Sequence, residues 1–334
     1  MPDSYVLSGL RPTGRVHLGN YFGAIRNWAQ LQHQYRCYYF IADWHALTSD
    51  YADTSQVKDI TFNATADLLS AGLDPETCVI FLQSEVKEHA ELHLLLSMIT
   101  PLGWLERVPT FKDQQQQLAE KDLNTYGFLG YPLLQTADII IYRANFVPVG
   151  EDQVAHLEFS REIVRRFNMF YGDVFPEPQP LLTPAAKVPG LDGRKMSKSY
   201  GNTIPLTASA EQIRALCMTM FTDPNRVRRT DPGNPDICNL FQFHRLFSDP
   251  ATIDRVDHEC RTAMIGCVDD KRLLAEKMIE ALAPIRERRE RIDRDPSIVW
   301  DVLAEGNRKA RERAGETLDA VRAAMKIDYT NLKR

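Results

Sequence analysis

Short apolar runs alternate with stretches of helical period through the first half of the chain. Residues 5–8 (YVLS), 37–42 (CYYFIA), 78–82 (CVIFL) and 146–149 (FVPV) are brief and rich in β-forming side chains, the mark of buried strands. Apolar residues recur at helical spacing over 19–34, over a long amphipathic stretch ending near Gly72, and over 88–100, and a further helix is expected after 150–153. Strand–helix–strand alternation implies parallel pairing with helices on both faces. The pattern predicts an α/β fold, with a doubly wound parallel-sheet (Rossmann-like) nucleotide-binding domain over 1–205. From Pro205 onward the β-rich runs vanish. Long helical stretches rich in Arg, Glu, Ala and Leu follow, broken by loops such as TDPNRVRRTDPGNPD at 222–236. A C-terminal helical domain over 206–334 is expected, its last helix packing back on the first domain.

Composition changes this picture little. The chain has 334 residues, 44% of them hydrophobic and 25% charged, with a formal net charge of −5. It is no polycation, so any nucleic acid must be met by local patches. The run at 92–99 is too short to span a bilayer, and the first residues carry no basic start followed by a long apolar stretch. Cys37, Cys78, Cys217, Cys238, Cys260 and Cys267 are too scattered for a disulfide scaffold, and a reducing cytoplasm is the expected setting.

Two loops carry candidate chemistry. The first, SGLRPTGRVHLGN at 8–20, leaves a strand and enters a helix, where an open α/β sheet binds ligands. Gly9, Gly14 and Gly19 allow close backbone approach and Pro12 stiffens the turn. N–H groups at the helix start suit a phosphate, and His17 and Asn20 add neutral donors. The loop matches neither the P-loop nor the G-x-G-x-x-G pattern. The second loop, GRKMSKSYGN at 193–202, gathers Arg194, Lys195 and Lys198 among serines and glycines.

Together the loops carry a resemblance. His17-Leu18-Gly19-Asn20 resembles the H-I-G-H signature of class I aminoacyl-tRNA synthetases, and Lys195-Met196-Ser197-Lys198-Ser199 is identical to their second signature. The stretches SGLRPTG (8–14), FIADWHALT (40–48), ERVPTFK (106–112) and 130–168 resemble tryptophanyl-tRNA synthetases of bacterial type from end to end. The resemblance implies activation of L-tryptophan with ATP and Mg²⁺, then transfer to the tRNA bearing the tryptophan anticodon, by a cytoplasmic homodimer with no membrane attachment. Lys195, Lys198, His17, Asn20 and Lys112 are the implied catalytic residues. ATP would further meet Arg11, Pro12, Thr13, Gly19, Gly150, Glu151, Asp152, Val188, Met196, Ser197 and Ser199. Tryptophan would meet Asp138, Tyr131, Gln153, Val147, Val149 and His45. The chemistry of the side chains agrees. Adenylate formation needs in-line positioning and positive charge for the leaving pyrophosphate, which two lysines on a mobile loop supply. An indole has one donor and no acceptor, so a buried carboxylate such as Asp138 can read it.

Arg11 stands where the family often has Gln, and Leu7 where it often has an aromatic residue. Some members also hold an iron–sulfur cluster on four cysteines. Cys238, Cys260 and Cys267 match three of these, while the fourth position is Asp270. The readings are a relic of three thiols, which is preferred, a cluster with one carboxylate ligand, or a Cys₃Asp zinc site. Arg226, Arg228 and Arg229 are the expected RNA contacts. The run PIRERRERIDR at 284–294 fits a solvated helix at least as well as an RNA face. The rival readings are a tyrosyl-specific enzyme, a silent RNA-binding paralogue and a nucleotidyltransferase.

Overall fold

The computed structural model describes residues 4–108, 123–150, 153–182 and 188–329. Five strands form one parallel sheet: β1 (Tyr5–Leu10), β2 (Arg36–Ile41), β3 (Val79–Leu82), β4 (Phe146–Val149) and β5 (Gln179–Leu182). Their order is β3-β2-β1-β4-β5. The chain winds outward from β1 through β2 to β3, then returns to lay β4 on the other side of β1. The carboxyl ends of β1 and β4 therefore flank the topological switch point, where doubly wound sheets open a crevice for ligands.

Four of the five strands coincide with the runs predicted from sequence. β5 falls outside them: QPLL is short, half-exposed and without alternation. The helical stretch after β1 runs through Leu18–Asn20, a π-helical turn Tyr21–Ile25, and Arg26–Leu31, and is labelled α1. The stretch expected to end near Gly72 is two helices, α2 (Asp43–Asp50) and α3 (Val57–Ser70), separated by turns. Then follow α4 (Glu88–Ser97), α5 (Tyr126–Ile141) and α6 (Val154–Tyr171). α6 shows why such segments dock. His156, Leu157, Ser160, Ile163, Val164 and Phe167 fall on one buried stripe at helical spacing.

No strand follows residue 205 among the described residues. Helices α7 (Ala210–Thr219), α8 (Asn239–Phe247), α9 (Pro250–Arg261), α10 (Cys267–Arg294) and α11 (Ser297–Ala324) take over. One buried apolar cluster joins Val6, Tyr39 and Ile41 of the sheet to Phe243, Leu274 and Met278 of this half. α11 covers the free edge of β3. Asn307 Oδ1 accepts the Leu82 N–H at 2.8 Å. A side chain at Gly306 would place its Cβ 1.8 Å from the Ile80 carbonyl oxygen, so only glycine permits this approach. The exposed ladder edge is thereby closed.

Candidate active site

The first loop follows from local chemistry. His17 caps the helix start, its Nδ1 accepting the Asn20 N–H at 3.3 Å, and Asn20 Oδ1 accepts the His17 N–H at 3.2 Å in return. An accepting Nδ1 puts the proton of the neutral ring on Nε2, leaving that atom as a donor. Burial and then the nearby Lys198 lower the His17 pKa to about 4, so the ring is neutral at pH 7.

The second loop lies against the first. Met196 is buried, and its Sδ accepts the Gly19 N–H at 3.3 Å. A Cβ at residue 19 would fall 2.9 Å from His17 Nδ1 and 3.4 Å from Met196 Cβ, which explains the glycine. Lys198 Nζ donates to Thr13 Oγ1 at 3.3 Å. Loss of hydration there lowers the Lys198 pKa, and Asp67 opposes the shift. Lys195 is exposed. The pin of this loop is Asn202, 3% exposed. Its Oδ1 accepts the Ser197 N–H at 2.8 Å, while Nδ2 donates to Asp192 at 2.7 Å and to the Lys195 carbonyl at 3.2 Å. Ser197 and Ser199 hydroxyls meet at 2.8 Å.

At the switch point lies a cavity of about 310 Å³, within the size range of small-molecule sites. Asp138, Val147, Val149 and Gln153 of the expected tryptophan contacts line it, with Gly150 of the expected ATP set and with Leu7 and Gly9. Asp138 is fully buried inside α5. His45 Nε2 donates to Oδ2 at 2.8 Å, His89 Nδ1 donates to Oδ1 at 2.6 Å, and Gln83 Nε2 lies 2.8 and 2.9 Å from the two oxygens. Burial raises the Asp138 pKa, but the hydrogen bonds from His45 and His89 outweigh it and hold the group well below the usual carboxylate range. Sequence reasoning misses Gln83 and His89. Their one signal is position: Gln83 follows directly on β3, at the carboxyl end where parallel sheets place ligand-facing groups.

Other expected residues stand elsewhere. Tyr131 packs its ring on His156. Val188 is buried, and its carbonyl accepts the Met196 N–H at 3.2 Å. Pro12 is buried. Arg11 turns toward α2, donating to the Ala46 carbonyl at 3.3 Å, to Asp50 at 3.2 Å and to the Ser49 hydroxyl, so its charge is already engaged. Lys112, Glu151 and Asp152 lie outside the described residues.

The three-thiol site does not fit a four-ligand cluster. Asp270 is buried and accepts from His244 Nε2 at 3.0 Å. Arg226 Nη1 lies 3.9 Å from the sulfurs of both Cys260 and Cys267. No cluster of His, Cys, Asp or Glu with metal-holding geometry occurs among the described residues. The loop arginines also divide. Arg226 donates to the carbonyls of Arg229 (3.0 Å) and Ile265 (2.7 Å), while Arg228 and Arg229 are exposed.

Comparison with known proteins places this constellation. A family model described as tRNA synthetases class I (W and Y) matches residues 2–283, and the chain belongs to that family. Within it the similarity is to tryptophan enzymes. The tryptophan–tRNA ligase of Thermotoga maritima is 53% identical over 326 residues, covering 97% of this chain and 99% of that protein. The tryptophan–tRNA ligase of Deinococcus radiodurans is 44% identical, covering 98% and 100%. The structure of Campylobacter jejuni tryptophanyl-tRNA synthetase complexed with ADP and tryptophan superposes with a TM-score of 0.89 at 34% identity, covering 96% and 99%.

Proposed function

We infer that the switch-point crevice carries out tryptophan–tRNA ligation. The chain activates L-tryptophan with ATP to tryptophanyl-adenylate and pyrophosphate, then transfers tryptophan to the 3′ end of its tRNA. The observation that carries the assignment of residues is the joining of the two signature loops. Met196 Sδ takes the Gly19 N–H and Lys198 reaches Thr13, beside the cavity that Asp138 helps line. Near full-length similarity to tryptophan–tRNA ligases supports the same reading.

In this reading ATP enters as its Mg²⁺ complex. The tryptophan carboxylate attacks the α-phosphate, and negative charge grows on the departing pyrophosphate. Little proton transfer is required; positioned donors and cations do the work. Neutral His17 offers Nε2–H and Asn20 its amide, while Lys195 and Lys198 bring charge on a loop that can lift to release product. Val147 and Val149 flank the indole. Asp138, held anionic, accepts its N–H. The Gln83 nitrogen is shared between both carboxylate oxygens, so a small shift of that one donor frees a lone pair for the indole. A side chain without such a donor leaves the buried carboxylate underpaired and is rejected by more than shape.

The tRNA partner is met by the helical half, with the exposed Arg228 and Arg229 as contacts, and the setting is the cytoplasm. Among the described residues no helix is long and apolar enough to cross a membrane. A homodimer is proposed on the exposed apolar residues Leu94, Met98, Leu102, Met169 and Phe170. Arg166 ties Phe170 to the neighbouring segment, donating to the Ile99 carbonyl at 2.6 Å and stacking over Trp104 and Phe170.

The test is Lys198→Ala. Adenylate formation, followed by ATP–pyrophosphate exchange, is expected to slow by about 10²-fold or more, with tryptophan binding within about twofold of the parent. Equal losses in both would remove the leaving-group role.

A further inference from the structure

The arginine-rich run at 284–294 is not wholly solvated. Arg288 Nε donates to the Ser70 carbonyl at 2.7 Å. Arg289 is 7% exposed and reaches into the first domain. Its Nη1 donates to Asp67 Oδ1 at 2.6 Å, Nη2 to Asn63 Oδ1 at 2.7 Å and Nε to Asp293 Oδ1 at 2.7 Å.

Asp67 has no solvent exposure and collects donors from three parts of the chain. Its Oδ2 accepts the Val16 backbone N–H at 3.0 Å and Arg15 Nε at 3.4 Å, from the loop that continues into His17. Its Oδ1 accepts the Thr207 hydroxyl at 3.3 Å as well as Arg289. Thr207 ends the segment that leaves the lysine loop and pairs with the first signature. There the Leu18 N–H meets the Ile204 carbonyl at 3.0 Å, and the Leu206 N–H meets the Val16 carbonyl at 2.9 Å. One carboxylate thus bolts the first signature, the exit of the second and helix α10 together.

We propose that Asp67 and Arg289 are positioning residues for adenylate formation, fixing the ATP-binding loop from the helical half of the molecule. The proposal rests on the reading of His17, Asn20 and Lys198 as the ATP site. Without Arg289 the buried carboxylate loses its closer cationic partner and keeps only Arg15 Nε at 3.4 Å, so its charge is under-compensated. It relaxes by taking a proton or by turning toward water, and either change loosens its bond to Val16. The next residue is His17, and small displacements of a phosphate-binding donor cost rate steeply. The tryptophan cavity is lined by none of Arg15, Val16, Asp67, Thr207 and Arg289, so tryptophan recognition is insulated from the pair.

The experiment is tryptophan-dependent ATP–pyrophosphate exchange on the full chain, comparing parent, Arg289→Ala, Arg289→Lys and the near-isosteric Asp67→Asn. In Arg289→Ala and Asp67→Asn, kcat/KM for ATP is expected to fall about tenfold or more while KM for tryptophan stays within about twofold. Arg289→Lys, which keeps the positive charge, is expected to recover much of the loss. Parent-like ATP kinetics in both charge-removing variants, or equal changes in the two KM values, would overturn the proposal. Should Arg289→Ala fail to fold, Asp67→Asn decides alone. A parent chain without exchange overturns the ATP-site reading; an active parent with unaltered variants overturns only the positioning role.

Discussion

His17 is the residue whose environment says most about the chemistry. An imidazole beside a phosphate could work as a cation, yet burial and Lys198 drive its pKa to about 4 and leave the positive charge to the lysines. The sign of the stability effect follows. A folded-state pKa below the unfolded value near 6.5 means the unfolded chain binds the extra proton first. This contribution is fully present above about pH 6.5 and is lost as pH falls toward about 4. Urea unfolding across that window is expected to give a steeper acid loss for the parent than for His17→Asn, and parallel curves would show that the ring is not held neutral. His17, Lys195 and Lys198 are singled out in the sequence by the resemblance of their two motifs to the class I signatures. Asp67, Gln83 and His89 are not legible there, because each acts through partners far away along the chain: Asp67 through Arg289, the other two through Asp138. Nothing in local pattern encodes such meetings.

Among the elements, strands buried on both faces announce themselves as consecutive apolar residues. Edge strand β5 has no such signal. Turn-forming residues at 51–56 divide what periodicity alone joins into one helix. The arginine-rich end of α10 misleads more seriously, since alternating charge reads as a wet surface. The i,i+4 pair Arg289–Asp293 is present, but the same arginine also serves a buried carboxylate. Helix α4 carries a different message. Leu94 and Met98, one turn apart, are 53% and 68% exposed and continue into Leu102. The proposed homodimer rests on this face. Sedimentation at micromolar concentration is expected to give the mass of two chains for the parent and of one for Met98→Glu; a monomeric parent would refute the dimer.

At the scale of the whole molecule the two halves are not independent. Sheet and helical half share a buried cluster, α11 seals the edge of β3, and Arg289 of α10 meets Asp67, which in turn holds the first loop at Val16. The division expected at 205 rests on a change of texture; among the described residues no strand follows residue 205. Beyond the expected return of the last helix, contact across the division is invisible in the sequence, because apolar periodicity tells which face is buried but not against what. The proposed function draws on this union: the crevice between β1 and β4 would take the amino acid, and loops braced from both halves would take ATP. The most direct measurement is ATP–pyrophosphate exchange on the purified chain with each standard amino acid in turn. Exchange driven by tryptophan alone is the predicted result; exchange driven by tyrosine, or by no amino acid, would contradict the account.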